Sequence, residues 1–334
     1  MPVKLLESAQ ERTYHEYVKK HPHSTIFHTL GWKRVLEETY GYKPLYTILE
    51  DKGKIVGVCP AFLVKTIKGN SIVSQPFAEY GYPLVNRVED IQKFIEFYKS
   101  FDADVIEFRE SPFYPIAHEN KKLNGYLYYL DIAGKDFDND IWHGVYTKKS
   151  GIRKAIRKAN NSGIHVCETK DIDTYYSFYI KRMKELGSPP HAKSLFTNIN
   201  SYVNCARFTM CYTYEIPIGV MLTFYHGKTA LMWNMASNLS YSSCMSNDVL
   251  YNEQIKHALD VGCSRIDFGR TQPRDSYMRF KSKWGSKQAI LNSVHVKGES
   301  IDKKKFLFLS PLVKHAQRVL CNPYIGPQIK RRFP

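Results

Sequence analysis

Residues 46–62 read YTILEDKGKIVGVCPAF, and residues 208–224 read FTMCYTYEIPIGVMLTF. Laid one over the other, Thr47 matches Thr209, Gly57 matches Gly219, Val58 matches Val220 and Phe62 matches Phe224. A second pair follows in the same order. IQKFIEFYKSFDADVIEF begins at Ile91 and YNEQIKHALDVGCSRIDF at Tyr251, which sets Ile95 on Ile255, Ile106 on Ile266 and Phe108 on Phe268. Glu107 and Asp267 take equivalent places. Each copy reads as a strand, a turn and a second strand, then a helix feeding a further strand. Self-similarity at one spacing outranks local signals, and here order and spacing agree as well as residue type. The expectation is an α/β (α+β) chain of two related domains with mixed sheets flanked by helices, and a cleft between or beside them. Coincidence between two ordinary α/β segments is the alternative.

The chain has 334 residues, which agrees with two domains. Hydrophobic residues make up 43%, enough for a substantial core. Lys and Arg total 48 against 32 Asp and Glu, a net charge of +16. Such a balance points to an anionic partner: nucleic acid, a phosphate-bearing substrate or an acidic lipid surface. The apolar stretch Phe306 to Val313 is far shorter than the ~20 residues of a spanning helix. The N-terminus lacks the basic-then-apolar form of a secretion signal. Seven Cys without a CxxC spacing read as reduced apolar fillers in a cytoplasmic protein. The 12 His show no ligand spacing, so no metal site is expected.

Helices are expected over Glu7 to Lys20, over FHTLGWKRVLEETYG with Gly41 as its stop, and over Val88 to Ser100. In the segment that follows the first copy, Ile141, Val145, Ile152, Ile156 and Ala159 share one helical stripe. Lys149, Arg153, Lys154, Arg157 and Lys158 occupy the other side and form a candidate polyanion-binding face; a solvated polar face is the plainer reading. Gly151 weakens the helix locally and allows a break. The segment 301–334 reads as an amphipathic helix and a basic tail ending in Lys330, Arg331 and Arg332. Its apolar residues suit either a cover on the first domain or the interface of an anionic bilayer.

The order of these features, with RKAIRKANNSG from Arg153, LGSPPH from Leu186, CSRIDFGR from Cys263 and FKSKWG from Phe280, resembles that of the FemAB-related transferases. The likeness runs from Trp32 to Trp284. It implies two tandem acetyltransferase (GNAT)-like domains, with boundaries placed at 1–138, 139–298 and a C-terminal segment 299–334. It also implies transfer of an acyl or aminoacyl group to an amine, as in the enzymes that lengthen peptidoglycan interpeptide bridges. A charged tRNA or an acyl carrier is the implied donor, an amine-bearing envelope precursor the acceptor, and no resident cofactor is called for. By the same resemblance the Phe280–Lys281 pair falls on the family's catalytic lysine, and Trp32–Lys33 on an N-terminal substrate contact. An acyl-thioester donor is the same-class alternative, and a non-catalytic RNA-binding protein the alternative of another class. The protein is expected in the cytoplasm, with peripheral contact at the inner face of the membrane.

Acyl transfer passes through a tetrahedral oxyanion, which a cation stabilises. Lys281 is the candidate cation, with Phe280 and Trp284 beside it to exclude water; a surface lysine in the run Arg279, Lys281, Lys283 is the alternative. The attacking amine must shed a proton, and Asp267 is the candidate acceptor. Strand alternation turns Asp267 away from Ile266 and Phe268, into a cleft or to solvent. Arg270 follows a glycine and suits either a substrate anion or an ion pair with Asp267. The place of the Gly-rich acetyl-CoA loop of this fold reads MSNDVLYNEQ from Met245, with Asn247 as a helix cap and no glycine. Ordinary acetyl-CoA use is therefore not expected. Cys263 is expected in the core and not as a nucleophile.

Overall fold

The structure, a computed structural model, describes residues 1–66, 69–146, 151–272, 277–298 and 321–332. In chain order it begins with β1 (Val3–Leu5), α1 (Glu11–Lys20), α2 (Leu30–Tyr40) and β2 (Lys43–Pro44). Next come β3 (Thr47–Asp51), β4 (Lys54–Cys59), β5 (Phe62–Thr66), β6 (Gly69–Val73), β7 (Leu84–Val85), α3 (Ile91–Lys99) and β8 (Val105–Arg109). The middle holds β9 (Lys121–Asp131), α4 (Ile152–Asn161), β10 (Ile164–Glu168), α5 (Ile172–Leu186) and α6 (Lys193–Tyr202). The chain continues through β11 (Ala206–Thr213), β12 (Ile216–His226), β13 (Thr229–Ser237), α7 (Ser246–Asp260) and β14 (Arg265–Thr271). It closes with α8 (Tyr277–Ser282), β15 (Lys287–Lys297) and α9 (Gly326–Lys330). Contacts divide it into a first unit of residues 1–124, 187–203 and 290–334 and a second of 125–186 and 204–289.

In the first unit, Thr29 caps α2 by accepting the Trp32 N–H at 3.2 Å, and Gly41 ends it in the left-handed region (φ 63°). Its Trp32, Val35, Leu36 and Tyr40 are buried. Gly31 lets α6 approach: a Cβ there would lie 2.2 Å from the Tyr202 carbonyl oxygen. One sheet has the order β1-β3-β4-β7, and the strands β2, β5, β6, β8 and β15 follow one another in a second. The last basic residues, expected as a free tail, instead pack on this unit. Gly326 and Pro327 are buried, and the Tyr42 hydroxyl donates to the Arg331 carbonyl at 2.7 Å. The apolar stretch Phe306 to Val313 falls outside the described residues.

The second unit has the strand order β10-β11-β12-β13-β14-β9, with α7 packed on the sheet. The helix expected from Ile141 to Ala159, with a break allowed at Gly151, is two pieces. Residues Phe137–Val145 form a π-helical segment, in which Ile141 N–H reaches the Asp136 carbonyl and Tyr146 N–H that of Ile141. Then α4 starts after Gly151, whose φ of 72° is open to glycine but strained for other residues. The apolar stripe still holds: Ile141, Ile152, Ile156 and Ala159 are buried, and Val145 is partly so. Among the described residues no helix is long and apolar enough to cross a membrane.

The two copies read in the sequence share their register. In β3/β4 Thr47 faces Cys59, Ile48 faces Val58 and Leu49 faces Gly57. In β11/β12 Thr209 faces Met221, Met210 faces Val220 and Cys211 faces Gly219. The threonine hydroxyl donates across each ladder, Thr47 to the Cys59 carbonyl at 3.1 Å and Thr209 to that of Met221 at 3.3 Å. Each glycine faces the helix that follows, Gly57 against Phe94 of α3 and Gly219 against Leu250 of α7. Each copy ends in a parallel pair, Ile72 with Ile106 and Ala230 with Ile266. One difference is covalent: Pro60, without an N–H to give a ladder, separates β4 from β5, whereas β12 runs unbroken.

Candidate active site

Strands β13 and β14 run parallel but pair only from Thr229–Arg265 to Leu231–Asp267. Beyond that point β13 continues to Ser237 and β14 to Thr271 without further pairing between them, so the sheet opens toward their C-terminal ends. There β14 bulges. Its register on β9 shifts between Asp267 and Arg270, Gly269 has φ 71°, and the Gly269 N–H donates to Asp267 Oδ1 at 2.7 Å. Asp267 is fully buried, so it does not point to solvent, and its Oδ1 accepts the Gly269 N–H. The bulge turns two carbonyls toward α8: Lys281 Nζ donates to Gly269 O at 2.8 Å and to Arg270 O at 3.3 Å. Lys281 is 6% exposed, so it is not a surface lysine. The carbonyls supply hydrogen bonds that an ammonium needs when withdrawn from water. The arrangement sets a cation beside a gap in a sheet, the geometry that favours an anion developing there.

Aromatic rings back this corner. Phe280 meets Tyr251 edge-on at 5.0 Å, Trp284 stacks on Tyr251 at 5.5 Å, and Tyr146 meets Trp284 edge-on at 5.3 Å. Asp248, in the first turn of α7, is bonded by Lys283, whose ammonium also lies 4.4 Å from the Phe280 ring centre. Burial first, and Asp248 second, push the Tyr146 hydroxyl far above its ordinary pKa and keep it neutral. The Tyr146 hydroxyl, the Trp284 indole N–H and Asn252 Oδ1 are buried with no hydrogen-bond partner among the described residues. Asn247 does not cap α7: the cap is Met245 in the left-handed region (φ 56°), and Asn247 lies half-buried within the first turn.

Of the residues singled out in the sequence, Asp267, Arg270, Phe280, Lys281 and Trp284 come from this one corner of the second unit. Trp284 and, in the first unit, Trp32 are 0% exposed, which assigns both to packing and not to a substrate-facing surface. Lys33 is tied to Glu11 at 3.2 Å and Glu37 at 3.7 Å, in place of the open substrate contact expected. On α4, Lys154, Arg157 and Lys158 are exposed and Arg153 is half-buried, while Lys149 lies outside the described residues. Arg157 stands over the Trp142 ring at 5.7 Å. Cys263 is buried and its thiol pKa is raised by burial, as a core residue requires. Cys167, by contrast, is exposed, so not every cysteine is a filler. The sequence reading missed Asp248 with Lys283, and Arg182 of α5, which bonds Tyr277 of α8. Phe280, Lys283 and Trp284 at helical spacing were the available signal for the first; nothing local announces the second.

Residues 147–282 match the acetyltransferase (GNAT) domain family. Among solved structures, the fold is similar to FemX, with 13% identity, a TM-score of 0.66, and 87% of this chain and 97% of that chain covered. It is similar to the C-terminal domain of a putative lysylphosphatidylglycerol synthetase from Agrobacterium fabrum, with 12% identity, a TM-score of 0.60 and coverage of 87% and 93%. A tandem GNAT protein from the clavulanic acid biosynthesis pathway gives 10% identity, a TM-score of 0.53 and coverage of 89% and 100%. No curated protein matches the sequence. The match gives residues 147–282 a domain of the acetyltransferase (GNAT) type, and the fold of the chain is similar to that of tandem GNAT proteins and FemX. Acyltransferases of this class take acyl-thioester or aminoacyl donors and amine acceptors.

Proposed function

We propose that the protein transfers an aminoacyl or acyl group from an activated ester or thioester to a primary amine, with the donor carbonyl lodged where β13 and β14 part. The observation that carries this reading is Lys281, buried and held by two carbonyls of the β14 bulge beside that opening. The amine nitrogen attacks the acyl carbon, and Lys281 faces the resulting oxyanion. Asp267, which fixes the bulge through the Gly269 N–H, is the proposed acceptor of the amine's proton. The carbonyl then re-forms, the bond to the donor's oxygen or sulfur breaks, and the proton held by Asp267 passes to that atom, so the donor leaves as its alcohol or thiol. Phe280, supported by Trp284 and Tyr251, excludes water, and Arg270 and Asn247 line the approach.

Charged tRNA is the favoured donor. Arg153, Lys154, Arg157 and Lys158 of α4 supply a cationic face for a polyanion, and Lys149 precedes them in the sequence. The turn before α7 has no glycine, and Asp248 sets a carboxylate in the first turn, which disfavours a pyrophosphate there. An acyl carrier is the second reading. The proposed acceptor is an amine-bearing envelope precursor such as that of peptidoglycan, met in the cytoplasm or at the inner face of the membrane. We further propose that the duplicated modules run over 1–138 and 139–298, with 299–334 appended.

The test supplies charged tRNA and acyl-CoA separately to the full chain with an amine acceptor and weighs the product. Lys281→Met is expected to lower turnover by about 10²–10³-fold, with tRNA retention and the melting temperature little changed. Unchanged turnover would remove Lys281 from the chemistry. tRNA binding with no transfer from either donor would favour the RNA-binding alternative.

A further inference from the structure

Tyr214 closes the β11–β12 hairpin with φ 51°, in the left-handed region that side chains with a Cβ occupy only at a cost. Glycine or asparagine would relieve that strain, yet the position carries a large ring that is 76% exposed. Ile216 beside it is 49% exposed, and Leu239 is 57% exposed. Leu239 is brought to the same end by its neighbour, since the Asn238 N–H donates to the Ile218 carbonyl at 2.9 Å. The hairpin tip, the end of β13 and the open ends of β13 and β14 therefore share one edge of the second unit. Cations border it. Lys181 of α5 donates to Asn238 Oδ1 at 3.1 Å, exposed Lys184 lies in the last turn of the same helix, and exposed Lys158 lies near the end of α4. The chain leaves α4 into Ile164, which pairs with Thr213 at the tip. The one acid within the tip is Glu215.

We infer that this edge docks on an anionic lipid surface, with Tyr214, Ile216 and Leu239 entering the headgroup boundary and Lys181 and Lys184 meeting lipid phosphates. Protruding apolar side chains rimmed by charge mark interaction surfaces. A tyrosine suits the interface, where its ring is apolar and its hydroxyl wet. Basic residues near such a surface each add to binding. Nucleic acid is the less fitting occupant, because isoleucine and leucine offer no flat face on which a base can stack. The inference is separate from the proposed transfer reaction. It concerns where the open end of β13 and β14 is presented: at the membrane boundary, within reach of a lipid-borne substrate.

Co-sedimentation of the full chain with vesicles rich in phosphatidylglycerol, against pure phosphatidylcholine, tests it at low salt. The wild-type chain is expected to favour the anionic vesicles. The triple variant Tyr214→Asn, Ile216→Thr, Leu239→Gln is expected to lose about ten-fold or more in binding while keeping its melting temperature. Lys181→Glu with Lys184→Glu is expected to erase the preference for anionic lipid. Turnover on a soluble amine acceptor should be the same in the triple variant and the wild type, so this result stands apart from that of Lys281→Met. Failure of the wild type to sediment with anionic vesicles, or equal sedimentation of the triple variant, overturns the inference. Loss of tRNA retention in the triple variant without loss of vesicle binding assigns the edge to RNA.

Discussion

The two copies of the module share a frame and differ at one seam. In the second, β14 leaves β13 after Asp267 and the gap is left to Lys281 and the bulge. In the first, the corresponding seam between β6 and β8 is stitched. Ser74 N–H reaches the Glu107 carbonyl at 2.9 Å, Arg109 N–H reaches Ser74 Oγ at 2.8 Å, and Gly81 N–H reaches the Arg109 carbonyl at 2.9 Å. The Arg109 guanidinium pairs with Glu107 at 3.3 Å and donates to the carbonyls of Gln75 and Ala78 at 3.1 and 3.0 Å. That network holds Gln75 and Phe77 in the left-handed region, with φ of 62° and 66°. Ladders that match in register thus support opposite outcomes: one seam is filled by a strained loop, the other stays open beside Lys281. The lesson is that the fold's frame resides in the hairpin and helix, while the seam is decided by a few side chains.

The largest expected effect comes from cutting the stitching. Arg109→Met takes the guanidinium from buried Glu107 and from the Gln75 and Ala78 carbonyls and should cost about 3–5 kcal/mol, read by chemical denaturation; a loss below about 1 kcal/mol would mean that the loop closes the seam without it. Next are the paired glycines. A Cβ at Gly57 would meet Val85 Cγ1 at 3.0 Å and Phe94 at 3.2 Å, against 3.2 and 3.4 Å for Leu250 and Ser246 at Gly219. Gly57→Ala should therefore cost about 1–3 kcal/mol and exceed Gly219→Ala; the reverse order in melting experiments would separate the two helix contacts.

The threonines sharpen the comparison further. Thr47→Val removes a bond to Cys59, but the Tyr98 hydroxyl keeps its contacts to the Leu45 and Cys59 carbonyls at 2.6 and 3.2 Å. Thr209→Val also takes the acceptor from the fully buried Gln254 amide, which donates to it at 3.2 Å. The first should cost about 1 kcal/mol and the second somewhat more, and equal losses would deny the Gln254 bond any weight. The smallest effect is titration of Asp131 on β9. Burial raises its pKa, but the bonds from Lys287 and Arg265, at 3.1 Å each, more than offset that and leave it below the ordinary value. A depressed carboxylate pKa adds stability above the unfolded value of about 3.9 and loses it as pH falls through the folded value. Asp131→Asn should flatten the acid limb of the stability profile slightly, since the pair is partly exposed. An unchanged limb would show that both partners are fully screened.

The repeat was legible because Thr47 and Thr209, and Gly57 and Gly219, are fixed by contacts inside one hairpin or between it and the next helix. Short-range constraints of that kind leave the same letters at the same spacing. Lys281 was legible through the order of motifs, although the two carbonyls that hold it were not, since a bulge has no fixed letter beyond its glycine. The stitched seam was illegible for a plainer reason: Ser74 and Arg109 meet across 35 positions, and neither residue type advertises a partner. Periodicity also carried the stripe from Ile141 to Ala159, and Gly151 marked its break, but neither showed that the first piece is bonded as a π-helix. Trp284 was expected at a substrate surface because it neighbours Phe280 and Lys281. Its ring is instead covered by Tyr146, which no spacing rule links to it.

Strand β15 gives β8 its neighbour: Ser293 lies opposite Arg109 and Val294 opposite Phe108. On a ribosome that emits the chain from its N-terminus, β8 waits for that neighbour through the synthesis of most of the second unit. The second unit, whose strands all lie between β9 and the start of β15, has its parts in hand first. Order of completion therefore runs against order of translation, and the earliest-made half spends longest with an uncovered strand edge. Termination just after residue 289 would leave every residue of the unit that carries Lys281 in place, and the unit that begins the chain without the strand that covers β8, exposed to aggregation and proteolysis.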